Sequence, residues 1–127
     1  MMYSMREDGN WLISDHFRVN EFRCKDGTDP VCVDGELVAI LEFVRSKFGK
    51  PVVINSGYRT PAYNKKIGGA KFSQHMYGRA ADIVVKGVKP ADVYNCLCEA
   101  FPKSCGFGLY SSFVHVDCRE TKSRWKG

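Results

Sequence analysis

Two short segments of the chain each set a carboxylate among β-branched and other apolar residues. Arg79-Ala80-Ala81-Asp82-Ile83-Val84-Val85 and Phe113-Val114-His115-Val116-Asp117-Cys118 each read as a strand. Successive side chains on a strand point to opposite faces. Ala81, Ile83 and Val85 therefore share an apolar face that must be buried, while Ala80, Asp82 and Val84 share the other. In the second segment Val114, Val116 and Cys118 share one face, and Phe113, His115 and Asp117 share its opposite. A chain with two such strands needs a sheet with one buried face and one that carries Asp82, His115 and Asp117.

The remaining segments supply helices and further strands. Residues 36–48 place Leu37, Ile40, Leu41, Val44 and Phe48 on one helical stripe. Asp34 is the expected N-cap, and Gly49 and Pro51 end the helix. Residues 51–55, PVVIN, read as a buried strand. Thr60 and Pro61 open a short helix over 61–67, stopped by Gly68-Gly69. Pro90 starts another, to about Phe101, with Val93, Leu97 and Ala100 inward. Residues 106–110, GFGLY, pair with 113–118 through a Ser-Ser turn. Residues 14–23 read as a short capped segment, with Ser14 or Asp15 as cap and Phe17 and Phe22 as anchors. Together these predict an α+β fold: one domain over residues 1–127, with a central antiparallel sheet and peripheral helices. At 127 residues there is room for one core and no second.

Composition excludes several classes. Hydrophobic residues make up 44% and charged residues 26%, as in ordinary globular proteins rather than disordered or fibrous ones. No apolar run approaches the roughly 20 residues of a membrane span. The opening residues, MMYSMREDGN, lack an apolar signal-peptide core. The expectation is synthesis in a bacterial cytoplasm and action elsewhere only after some other release. The net charge of +5 admits an anionic partner but is spread out, except at the tail Arg119 to Lys126. That tail is the only support for a nucleic-acid partner, and none is expected; the chain reads as a monomer. Six cysteines include no Cys-x-x-Cys pair. Reduced thiols are expected, with Cys24 and Cys32 the pair best placed to close a small loop.

The chemistry gathers around two of the three histidines. Gly78 lets the chain turn so that His75 comes back over the strand bearing Asp82. His115 and Asp117, two apart on a strand, point the same way at roughly 7 Å. If the two strands lie near each other, His75, Asp82 and His115 converge. Two imidazoles and a carboxylate suit one zinc ion, with a position left for water. The competing reading is a hydrogen-bonded His–Asp pair in the core. His16 is expected to be structural. Tyr58, Tyr63, Tyr77 and Tyr110 are expected as walls of a cleft or the edge of the core.

The segment Ser73-Gln74-His75-Met76-Tyr77-Gly78-Arg79-Ala80-Ala81-Asp82 resembles the signature of the zinc D-alanyl-D-alanine carboxypeptidases. Their wider group of lysostaphin-type, D-Ala-D-Ala and Sonic hedgehog proteins shares His-x6-Asp and a later His. Ser56-Gly57-Tyr58-Arg59-Thr60, Phe113-Val114-His115-Val116-Asp117 and the region from His16 to Cys24 carry the same resemblance. It spans roughly residues 14–125 and is nearest to short prophage-encoded and cell-wall members. The resemblance implies His75, Asp82 and His115 as zinc ligands and Arg59 as the holder of a substrate carboxylate. Ser73 would touch substrate or cap the turn before His75. Many members place an acid three residues before the last ligand or a histidine two before it. Here Ser112 and Phe113 stand at those positions. Asp117 is the nearest acid: the catalytic base, a support for His115, or a substrate contact. The implied activity is hydrolysis of stem or cross-link peptides of bacterial peptidoglycan. The alternative is a non-catalytic zinc-containing binding module of the same fold.

Overall fold

The computed structural model describes all 127 residues. The chain begins with β1 (Met2–Ser4) and one turn of helix, α1 (Met5–Asp8), whose N-cap is Ser4. The strands β2 (Leu12–Ser14) and β3 (Phe17–Arg18) form a hairpin. A 3-10 turn over Val19–Phe22 follows, and β4 (Pro30–Cys32) returns to pair with β1. The expected cap at Ser14 or Asp15 is corrected here. Ser14 Oγ donates to Glu42 Oε2 at 2.5 Å, and the His16 backbone N–H reaches the same oxygen at 2.9 Å. That carboxylate holds the segment as a hairpin against the next helix. Phe17 and Phe22 do anchor it, each 1% exposed.

Helix α2 (Gly35–Phe48) forms where the stripe predicts it. The Asp34 carboxylate accepts from the Glu36 N–H at 2.8 Å, and Gly49 ends the helix in the left-handed region at φ 62°. Then come β5 (Val52–Ser56), α3 (Pro61–Lys66) behind its Thr60 cap, and β6 (Ala80–Val85). Helix α4 (Pro90–Ala100), β7 (Gly106–Leu109), β8 (Val114–Asp117) and β9 (Ser123–Lys126) complete the chain.

The main sheet runs in the order β5-β6-β8-β7-β9. The first four strands pair antiparallel, whereas β9 joins β7 in parallel. That last strand arises from the basic tail, which sequence treated only as a charge run. Arg124 explains its place: the guanidinium donates to the carbonyls of Phe101, Ser104 and Cys105 and lies 4.5 Å over the Phe107 ring. Ala81, Ile83, Val85, Phe107, Val114 and Val116 form the buried face of the sheet, packed with residues of α2 and α4 into one core. Ala100 is exposed, contrary to expectation, and Tyr94 is buried instead. Phe101 leaves the helix at its C-cap and meets Phe43 edge-on at 5.6 Å. All six cysteines carry free thiols, so Cys24 and Cys32 are not joined. No helix is long and apolar enough to cross a membrane.

Candidate active site

The uncovered face of the sheet does bring the three candidate ligands together. Asp82 and His115 are register partners on β6 and β8. His75 comes from a 3-10 turn, Gln74–Tyr77, that ends at Gly78 with φ 69°. A Cβ at Gly78 would also collide with the Cys32 backbone, so the turn needs glycine for both reasons. His115 Nδ1 lies 3.0 Å from Asp82 Oδ1, and His75 Nε2 lies 3.3 Å from the same oxygen. The two imidazole centroids are 5.2 Å apart.

The unused ring nitrogens are held from behind. His75 Nδ1 donates to the Gly57 carbonyl at 2.8 Å, which turns Nε2 toward Asp82. Gly57 comes so close to the Phe22 backbone that a Cβ would overlap it. His115 Nε2 bonds Asp117 Oδ2 at 2.8 Å. Arg119 then clamps Asp117 from the far side, with Nε at 2.8 Å and Nη2 at 2.6 Å. Gly106, the register partner of Asp117, leaves room for this pair; a Cβ there would overlap both carboxylate oxygens and the guanidinium.

This arrangement fits a metal ion. His75 Nε2 is buried and makes no hydrogen bond, an uncommon state for a buried nitrogen. It lies, with ligand atoms of Asp82 and His115, in a group whose members are all within 4.8 Å of one another. Burial works against the charge on Asp82, but the hydrogen bond with His115 and the nearby His75 imidazole hold its carboxyl well below the usual range. Asp117 is likewise opposed by burial and held low by His115 and Arg119. Burial disfavours the charged form of His115, yet the hydrogen bonds to Asp117 and Asp82 prevail and raise its pKa. A second gathering of ligand atoms at Asp34, Glu36 and Cys118 is of another kind. The Arg79 guanidinium stands among them, 3.3 Å from Cys118 Sγ and 3.9 Å from Asp34.

The triad lies in a cleft of about 670 Å³. Arg59 lines it, with Nη2 3.5 Å from Asp82 Oδ2. Its Nε donates to Ser56 Oγ and its Nη1 to Asn64 Oδ1, both at 3.3 Å. Asn64 is only 3% exposed and donates in turn to the Ala70 carbonyl. Ser73 borders the cleft, and its hydroxyl caps the turn by accepting from the His75 N–H at 3.2 Å. Asp117 does not reach the cleft. It is 0% exposed, and both its oxygens are engaged. Asp82 is the only acid on the lining, beside the cations Arg59, Lys71 and Arg119. Tyr110 lines the cleft, Tyr58 packs on the core, and Tyr77 stands outside at 51% exposure. His16 binds Glu42, far from this chemistry in kind.

Sequence reading missed Asn64, Arg119, Trp125 and the two glycines of β7. The alternation Gly106-Phe107-Gly108-Leu109 was the available signal for the last. It places both glycines on the ligand-bearing face.

The peptidase M15 family matches residues 15–117. This chain belongs to the peptidase M15 family. Among curated proteins, a zinc D-Ala-D-Ala carboxypeptidase of Streptomyces albus G is 46% identical over 44 residues. That stretch covers 34% of this chain and 17% of the relative, so most of the relative's length has no counterpart in the match. The M15 match includes every candidate ligand, Arg59 and Ser73, and ends at Asp117.

Proposed function

We propose that this M15 peptidase is a zinc enzyme that hydrolyses peptide bonds in the stem peptides or cross-links of bacterial peptidoglycan. The observation that carries the reading is the bare Nε2 of His75 facing Asp82 and His115. His75 would bind through Nε2, His115 through Nδ1, and Asp82 through its carboxylate. Zinc in such a site polarises a carbonyl and lowers the pKa of a bound water toward neutrality. Gly57 and Asp117 fix which nitrogen of each imidazole stays free for the ion. Asp117 is thus a positioning residue rather than the base, since its oxygens are spent on His115 and Arg119. Arg59 would hold a substrate carboxylate, its fork kept in place by Ser56 and Asn64. Holding that group orients the scissile bond in the cleft. Ser73 borders the substrate path while capping the turn of His75.

One observation favours a second reading. No carboxylate on the cleft wall is free to act as base, because Asp82 belongs to the triad. A binding module of the same fold would keep the metal and the arginine without turnover.

Digestion of purified peptidoglycan, with and without a zinc chelator, decides between them by mass spectrometry of the fragments. Chelator-sensitive release of D-Ala marks a carboxypeptidase; new stem or cross-link ends mark an endopeptidase. Wall binding without cleavage by the zinc-loaded protein would establish the module instead. Arg59→Ala should weaken substrate use while zinc stays bound; unchanged kinetics would remove Arg59 from its role.

A further inference from the structure

Strand β9 carries a tryptophan to the ligand-bearing face that neither the triad nor the core requires. Trp125 lines the cleft, its ring centroid 5.0 Å from that of His115. Its indole N–H donates to the Tyr110 hydroxyl at 2.9 Å. Tyr110 in turn stacks on Phe113, with centroids 4.4 Å apart and planes 8° from parallel. The Arg119 guanidinium sits 5.5 Å from the indole on its way to Asp117. The backbone makes room for the indole. Gly108 is the register partner of Trp125, and a Cβ at that glycine would overlap the ring. A tryptophan kept only to fill a core would be enclosed; this one is half-buried and opens onto the cleft. Tyr110, Phe113 and Trp125 therefore form one aromatic wall in the same cleft as Arg59.

We propose that Trp125 is a specificity-determining residue of this site. The wall it forms with Tyr110 and Phe113 receives the uncharged stretch of a stem peptide, while Arg59 takes a carboxylate. Flat rings bury apolar surface at little cost in side-chain freedom, and the hydroxyl of Tyr110 fixes the plane of the indole. The proposal rests on the peptidoglycan reading and adds the means by which a peptide is chosen. It also gives Phe113 a part, since its ring stacks on Tyr110 and extends the wall.

The test is steady-state hydrolysis of the soluble stem-peptide fragment that the unaltered protein cleaves, with bound zinc measured on the same samples. Trp125→Ala should raise KM by about tenfold or more, leave kcat within about threefold and keep a full complement of zinc. Trp125→Phe, which retains a flat ring, should return KM to within about threefold of the original. An unchanged KM in Trp125→Ala overturns the proposal. So does loss of zinc in that variant, which would make the indole a prop for His115. Equal damage from Phe and Ala overturns it too, because the wall would then not be the cause. Failure of the functional reading looks different: the unaltered protein cleaves no fragment at all, and both readings fall together.

Discussion

The two faces of the main sheet use the same strands for opposite purposes. On the core face Phe107, Ile83 and Val116 are each at most 1% exposed and act as volume. On the other face the same strands present Gly106, Gly108, Asp82 and His115, and there each atom acts by its direction. The core face tolerates a change of shape if the space is refilled. The ligand-bearing face depends on whether one nitrogen points at one oxygen. Strand β7 shows both in four residues, since Phe107 fills the core between two glycines that keep the opposite side clear.

Four substitutions would break or sharpen this contrast. The largest functional effect belongs to His115→Ala, which should abolish zinc retention through dialysis while the far-ultraviolet circular dichroism stays native. A full equivalent of zinc in that variant would exclude His115 from the ligands. Phe107→Ala should cost about 3–5 kcal/mol of stability in denaturant titrations. Its folded fraction should still bind zinc as tightly as the original; weaker binding there would mean the two faces are not separable. Gly106→Ala should do the reverse. It displaces Asp117 and Arg119, and zinc affinity should fall by about 10–100-fold, the usual cost of disturbing a group that orients a ligand. Competition with a chromophoric chelator reads this, and an unchanged affinity would mean that the clamp on His115 is idle.

The smallest effect lies away from both faces, at Glu42. Burial opposes the charge on this carboxylate, but hydrogen bonds from Ser14 and His16 prevail and lower its pKa. A group with a lowered folded pKa contributes its full stability above its unfolded value, about pH 4.3 for Glu, and loses it as pH falls through the folded value. Glu42→Gln should therefore cost about 1 kcal/mol at neutral pH, with the difference narrowing in acid. A gap that stays constant down to about pH 3, well below the ordinary Glu range, would remove the charge from the account.

Much of this was legible in the sequence because alternation is a local property. Period two put Asp82 and His115 on one face and their apolar neighbours on the other, and the register then set the pair side by side. The stripe of α2 and the Asp34 cap were readable for the same reason. What escaped depends on contacts between distant segments. Nothing near Arg124 announces that it will bond three carbonyls of the connection between α4 and β7. A basic tail and a parallel edge strand have the same letters. Asp117 could be placed on the right face but not given its depth, because its burial comes from Arg119 and from the missing side chain at Gly106. Ser14 carried a capping signal that Glu42, on another element, captured.

The bare nitrogen of His75 has a consequence for folding as well as for chemistry. A buried acceptor with no partner weighs against the native state, and an ion that fills the gap favours that state. On the zinc reading the folding equilibrium would be tied to free zinc by mass action, gaining about 2.7 kcal/mol when the metal stands at a hundred times its dissociation constant. The melting temperature should climb with the logarithm of free zinc, so a simple thermal scan reports on the site before any substrate is found.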